Sequence, residues 1–403
     1  MTSVEEAESL ILKNLPSPTS EQVDLKQALG RTLHEVLHAD RALPPFDRST
    51  MDGIAIDSAS YHNSTHSFPI TGVAAAGQAA INLNDSSTCV EIMTGAPLPI
   101  GADCVVRIED VEIKDGIAHV IDGLPLTAGY AVHPEGSDCK KGQILLSPGV
   151  TLSGKELAIA ASIGKTVLTV SRQPRIAIVA TGNELIEVDQ TPAPHQIRRS
   201  NDTALSSAIK SAGYPNVTTH HLPDDREIIE TKIADILKSC DVLIIAGGIS
   251  KGKFDFLPKA LEHNKAKEIF QWVSQRPGKP LYFGTCQQEE RSVPIFALPG
   301  NPVSAFTCLH RYALPALATM TGRNPTLPEF AQLTGDFRFK APLTFFLPVS
   351  IETDPTGTRL ATPAPFNTSG DFASVAKTHG FLELPKDLQT FPTGQAYRFF
   401  PWH

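Results

Sequence analysis

Between about residues 175 and 322, short runs of β-branched and aliphatic residues alternate with stretches whose apolar positions recur every three or four. That alternation predicts a parallel sheet covered by helices. RIAIVA (175–180), NVTTHHL (216–222), DVLIIA (241–246) and VPIFALPG (293–300) read as strands. DDREIIETKIADILKSC starts with acids and continues with helical periodicity, which suits a helix with a favourable N-terminus. Ser200 or Asn201 is placed to cap one further helix. Asn301, followed by Pro302 at the first helical position, caps a long helix from Val303. Upstream, from about 43 to 142, frequent Gly and Pro separate short alternating runs, the pattern of a β-rich domain. The flanks 1–42 and 143–174 carry amphipathic patterns and are expected to pack together, because an inserted domain brings its flanks close. The segment 326–403 is proline-rich with short strands such as FFLPVSIE and GFLELP, and reads as a small β-domain.

At 403 residues the chain exceeds what one hydrophobic core usually serves. A net charge of -8 and the lack of a long basic run argue against nucleic acid as a partner. No apolar run reaches the ~18 residues of a membrane span. The opening MTSVEEAESLILKNL has neither the basic start nor the apolar centre of a signal peptide. Six scattered cysteines without a CxxC pair suggest neither a disulfide framework nor a thiolate zinc site. The expectation is a cytoplasmic protein with reduced thiols.

Four glycine-containing loops, TGNEL, GGISKGKFD, RPGKP and LPGNPVS, fall at strand ends. In an open α/β sheet they gather on the rim where ligands bind, and glycine lets backbone N–H groups approach an anion closely. Arg276 and Lys279 are cations suited to phosphate oxygens, with two solvated surface cations as the plainer alternative. Asp52, Asp138, Glu184, Asp224 and Asp255 each lie near glycine or a helix start. Turn formation or capping is the ordinary role there, and for Asp224 capping is the default. Acids converging near phosphates would instead hold magnesium. His34, Glu35 and His38 match HExxH, which on a helix aligns two imidazoles for zinc with Glu35 as general base. Pro44 and Pro45 follow closely and no third ligand extends the motif, so the match is expected to be accidental.

Taken together, LPPFDRSTMDGIAI, EIMTGAPLPIGADCVV, EGSDCKKGQ, ATGNEL, AGGISKGKFD, RPGKP and LPGNPVSA resemble the MoeA-type molybdopterin molybdenumtransferases, to which the gephyrin E domain is similar. The resemblance implies a multidomain α/β plus β protein. Its parts would be a three-layer MogA/MoaB-like α/β domain (175–325), an inserted β-rich domain (43–142), a discontinuous linking domain (1–42 and 143–174) and a C-terminal β-domain (326–403). It implies a homodimer with a shared active site and insertion of molybdate into adenylylated molybdopterin. Magnesium would assist the loss of AMP, and a molybdopterin adenylyltransferase would deliver the substrate. The family's essential acids fall on Asp52, Asp138, Glu184, Asp224 and Asp255, with Glu184 and Asp255 as metal ligands. Contacts to the pterin nucleotide fall on Thr94, Thr181, Gly182, Ser200, Asn201, Gly247, Gly248, Ser250, Lys253, Arg276, Lys279, Gly300, Asn301 and Ser304. Four departures stand out: Asn183 where the family has an acid, Lys251 and Lys253 around Gly252, Arg276 for lysine, and Ile54 for an aromatic residue. A gephyrin-like scaffold without turnover and an HExxH zinc protease are the alternatives.

Overall fold

The computed structural model describes residues 1–63, 65–249, 256–289, 291–365 and 368–402. Two compact units divide the chain. The first comprises 1–34, 148–153 and 168–403, and the second 35–147 and 154–167.

The centre of the first unit is a six-stranded sheet in the order Val217–Leu222, Ile176–Thr181, Val242–Ala246, Arg291–Leu298, Pro280–Gln288, Lys267–Trp272. The first four strands run parallel, and the last two form antiparallel pairs at one edge. Successive side chains on a strand point to opposite faces, and here both faces are covered. Ile176, Ile178, Val242 and Ile244 enter one apolar layer with Leu205, Ile209 and Leu317. Ala177, Val179, Leu243 and Ile245 enter another with Ile229, Ile233 and Leu261. The expected helices are Asn201–Ser211, Arg226–Ser239 and the segment from Pro302. The last is interrupted, because a π turn at Leu309–Ala313 separates Pro302–Cys308 from Leu314–Met320.

The helix Val4–Lys13, capped by Ser3 and Glu6 in a reciprocal box, buries Val4, Ala7 and Ile11 in the first of these layers. The C-terminal strands close on themselves. Thr344–Thr353 pairs with both Arg359–Pro363 and Gly380–Leu384, making a small barrel around Phe345, Leu347, Leu382 and Phe391. Arg311, 1% exposed, donates to Glu8 at 2.8 Å and Glu383 at 2.5 Å, joining the N-terminal helix, the π turn and the barrel.

In the second unit, six strands are ordered Cys104–Arg107, Gly53–Ile56, Cys89–Ile92, Ser67–Ala74, Ile117–Val120, Val111–Lys114. Ile54, Ile56, Phe68 and Val106 pack on one face, and Ala55, Val90, Ile92 and Val105 on the other. The two flanking segments meet by short pairings, Leu33 with Val170 in the first unit and Leu37–His38 with Ile144–Leu146 in the second. HExxH is not helical: His38 ends a two-residue strand, Glu35 pairs with Lys165, and the Nδ1 of His38 lies 3.1 Å from the Gly142 carbonyl. Without a helix the two imidazoles lack the alignment that motif requires. All six cysteines are buried and unpaired. No helix among the described residues is long and apolar enough to cross a membrane.

Candidate active site

Three of the four glycine loops converge at the carboxyl ends of the parallel strands. They bound a cleft of about 620 Å³ lined by Thr181, Gly182, Glu184, Ser200, Asn201, Asp224, Gly247, Gly248, Gly300 and Asn301. The fourth, RPGKP, lines an adjacent pocket of about 310 Å³ with Arg276, Lys279 and Ser304. Pro280, Pro299 and Asn301 belong to both walls. Ser250, Lys251, Gly252, Lys253 and Asp255 lie outside the described residues.

The glycines are there for room. Gly248 has φ +70°, and a Cβ on it would stand 2.9 Å from the Thr181 Oγ1. A Cβ on Gly182 would meet the Glu184 carboxylate at 2.5 Å, so Glu184 folds back over its own loop. The Thr181 hydroxyl is buried and has no hydrogen-bond partner among the described residues. His221, from the neighbouring strand, steadies the loop through a 2.9 Å contact between Nε2 and the Gly182 carbonyl.

Asp224 does not cap the following helix. Asp225 does, accepting from Ile228 N at 3.0 Å. This leaves Asp224 for a reciprocal pairing with Asn183: the Asn183 N–H donates to Asp224 Oδ2 at 3.3 Å, and the Asp224 N–H donates to Asn183 Oδ1 at 3.1 Å. Ser200 and Asn301 occupy N-cap positions, yet neither side chain makes the capping bond. Asn301 donates instead to Ser369 Oγ at 2.8 Å, and Asn201 to the Gly300 carbonyl at 2.8 Å. Residues read as caps thus tie the rim loops to one another. Among the described residues neither Arg276 nor Lys279 forms an ion pair, and the Arg276 guanidinium lies 5.9 Å from the Phe339 ring.

Asp52, Thr94 and Asp138 lie in the second unit. Asp52 Oδ1 accepts from the Thr94 backbone N–H at 2.7 Å and from its hydroxyl at 3.0 Å. These two bonds, the backbone one foremost, favour the charged form and hold the Asp52 carboxyl below its ordinary range. Asp138 Oδ1 is 2.9 Å from the His133 Nε2. Sequence reasoning missed His133 and His221. His221 carried a weak signal, one of two adjacent histidines at the end of the strand-like NVTTHHL, whereas His133 stands in a segment with no distinguishing pattern.

The described oxygen donors lining the larger cleft include the carboxylates of Glu184, Asp202 and Asp224, with Asp202 paired to Arg199, and the hydroxyls of Thr181 and Ser200, all of them hard oxygens. That chemistry suits magnesium, which keeps several waters and takes one or two carboxylates from a protein.

Comparison with known proteins agrees along the chain. Residues 2–164 match the MoeA N-terminal region (domain I and II), 177–319 a probable molybdopterin binding domain, and 331–402 the MoeA C-terminal region (domain IV). The molybdopterin molybdenumtransferase of Synechocystis sp. is 40% identical over 402 residues, covering 100% of both chains. That of Bacillus subtilis (strain 168) is 29% identical over 384 residues, covering 93% of this chain and 88% of the relative. A crystal structure of a molybdopterin biosynthesis MoeA protein from Pyrococcus horikoshii matches with a TM-score of 0.83 at 28% identity, covering 100% of this chain and 99% of that one. The chain belongs to the MoeA family of molybdopterin molybdenumtransferases.

Proposed function

We propose that the protein inserts molybdate into the dithiolene of adenylylated molybdopterin and releases AMP, with the nucleotide in the larger cleft and the oxyanion in the smaller pocket. The observation that carries this reading is the meeting of Glu184, Asp224 and three glycine-bearing strand ends with an adjoining pocket whose cations, Arg276 and Lys279, have no internal ion-pair partner among the described residues. Gly247 and Gly248 let phosphate oxygens approach the backbone without a side chain in the way. Arg276 and Lys279 attract molybdate and compensate its charge beside the nucleotide. Asn201 and Asn301 hold the loop between the two pockets, so both reactants keep a fixed separation, which is how positioning accelerates a bimolecular step. Glu184 and Asp224 would hold the magnesium ion, which when bound supplies positive charge against the phosphoanhydride oxygens. Asp255 is proposed as a further ligand from the resemblance alone.

The same reading includes a homodimer in which Asp52, Thr94 and Asp138 of one subunit complete the cleft of the other, and delivery of the substrate by a molybdopterin adenylyltransferase. The test is AMP release from adenylylated molybdopterin by the purified protein. Turnover should require both molybdate and magnesium, and Glu184→Gln should lower it about 100-fold, the scale of losing a principal electrostatic stabiliser. Nucleotide binding without turnover under any of these conditions would leave the scaffold reading in its place.

A further inference from the structure

The loop that carries Arg276 and Lys279 rests on a buried polar contact that none of the rim motifs contains. Gln275 is fully buried. Its Nε2 donates to the Gly278 carbonyl at 2.9 Å, and its Oε1 accepts from the Tyr312 hydroxyl, which is itself 2% exposed. Gly278 has φ +85°, and a Cβ there would lie 2.4 Å from the Cys308 Sγ, so the loop turns flush against the helix Pro302–Cys308. Tyr312 lies within the π turn Leu309–Ala313 that follows this helix. One extra residue in a helical turn rotates everything beyond it by about 100°, and such turns recur at functional sites. The widened turn thus contributes to the orientation that brings the Tyr312 hydroxyl to Gln275.

We infer that Gln275 and Tyr312 are positioning residues for the oxyanion pocket, a proposal that rests on the smaller pocket being the molybdate site. Two cations on a five-residue turn bind an oxyanion well only if the turn has one shape, because each alternative shape dilutes the competent one. Gln275 spans the turn from inside, with its amide oxygen fixed by Tyr312 and its amide nitrogen fixing Gly278 between Arg276 and Lys279. The network touches neither the larger cleft's acids nor its glycines, so its effect should fall on the oxyanion and spare the nucleotide.

The test uses the full-length protein and two probes by calorimetry, sodium molybdate and AMP. Tyr312→Phe should weaken molybdate binding about threefold. Gln275→Met combined with Tyr312→Phe removes both side-chain partners, so that neither is left facing an empty site, and should weaken it at least tenfold. AMP affinity should stay within twofold in both variants. Parent-like molybdate affinity in the double variant overturns the inference, as does an equal loss of molybdate and AMP, which would mark a general loosening of the fold. Lys279→Ala in the parent separates the two ideas. If it leaves molybdate binding intact, or if the parent binds no molybdate, the pocket assignment fails and the inference falls with it. If Lys279→Ala abolishes binding while the double variant does not weaken it, only the positioning role is wrong.

Discussion

Asp52 is open to solvent, and what perturbs it is the pair of donors on Thr94. Removing the hydroxyl donor with Thr94→Val keeps the side-chain shape and the backbone bond. The carboxyl should then titrate at higher pH than in the parent, because one of the two bonds favouring the ionised form is gone. Carboxyl-carbon NMR of labelled protein reads this directly, and an unchanged titration would show that the backbone bond alone sets it. If Asp52 acts in its ionised form, the acid limb of kcat/KM moves the same way, so the variant loses activity first at low pH. At this scale much of the cleft's lining was legible in the sequence. Thr181, Gly182, Glu184, Gly247, Gly248 and Asn301 were all legible from glycine turns at strand ends, and all line one cleft. Individual roles were not legible. Asp224 and Asp225 are adjacent acids before a helix, and which one caps depends on a bond to Asn183 that lies 41 residues back along the chain. Local propensity does not encode that choice.

Elements are held in register by a few buried charges, and Asp241 shows how this couples to pH. It stands at the start of the central strand Val242–Ala246, where it accepts from Arg172 at 3.1 Å, from the Arg175 guanidinium at 3.1 Å and backbone N–H at 2.9 Å, and from Arg291 at 3.3 Å. Burial pushes its carboxyl upward, but the bonds from Arg175 and Arg172 outweigh burial and hold it far below the usual carboxylate range. A depressed folded-state pKa contributes stability that is complete above the unfolded value, about 4, and is lost as pH falls toward the folded value. Asp241→Asn should therefore cost about 2 kcal/mol at pH 7, the scale of hydrogen bonds to a charged group whose partners can turn to water. Urea unfolding at several pH values checks the sign. The gap between parent and variant should close as pH drops below about 4, and a gap that stays constant would mean the carboxylate's charge contributes nothing. The parallel strands Ile176–Thr181, Val242–Ala246 and Arg291–Leu298 were legible because they are largely apolar, as buried parallel strands are, whereas the edge strand Val217–Leu222 holds polar residues between its apolar ends. The π turn was not, since Leu309–Ala313 has no composition that separates it from ordinary helix. The tyrosine and glutamine it brings together are 37 residues apart.

At the scale of the whole molecule, the acids carried over from the family are divided between two compact units, Asp52 and Asp138 in one, Glu184 and Asp224 in the other. The proposed homodimer would be one way for a single reacting centre to use all four. In a two-fold dimer each of two equivalent sites would draw its second-unit acids from the partner. Asp52→Asn and Glu184→Gln, each inactive alone, then mark opposite sides of the same site. Unfolding and refolding an equal mixture of the two variants yields about half heterodimers. In each heterodimer one site holds both substitutions and the other holds neither, so the mixture should recover about a quarter of the parent's AMP release. A site built within one subunit gives the opposite result, because every site in every heterodimer then carries one lesion. Tagging one variant with polyhistidine and the other with a second affinity handle isolates the heterodimer. Failure of the doubly purified species to release AMP would place Asp52 and Glu184 in the same subunit's centre.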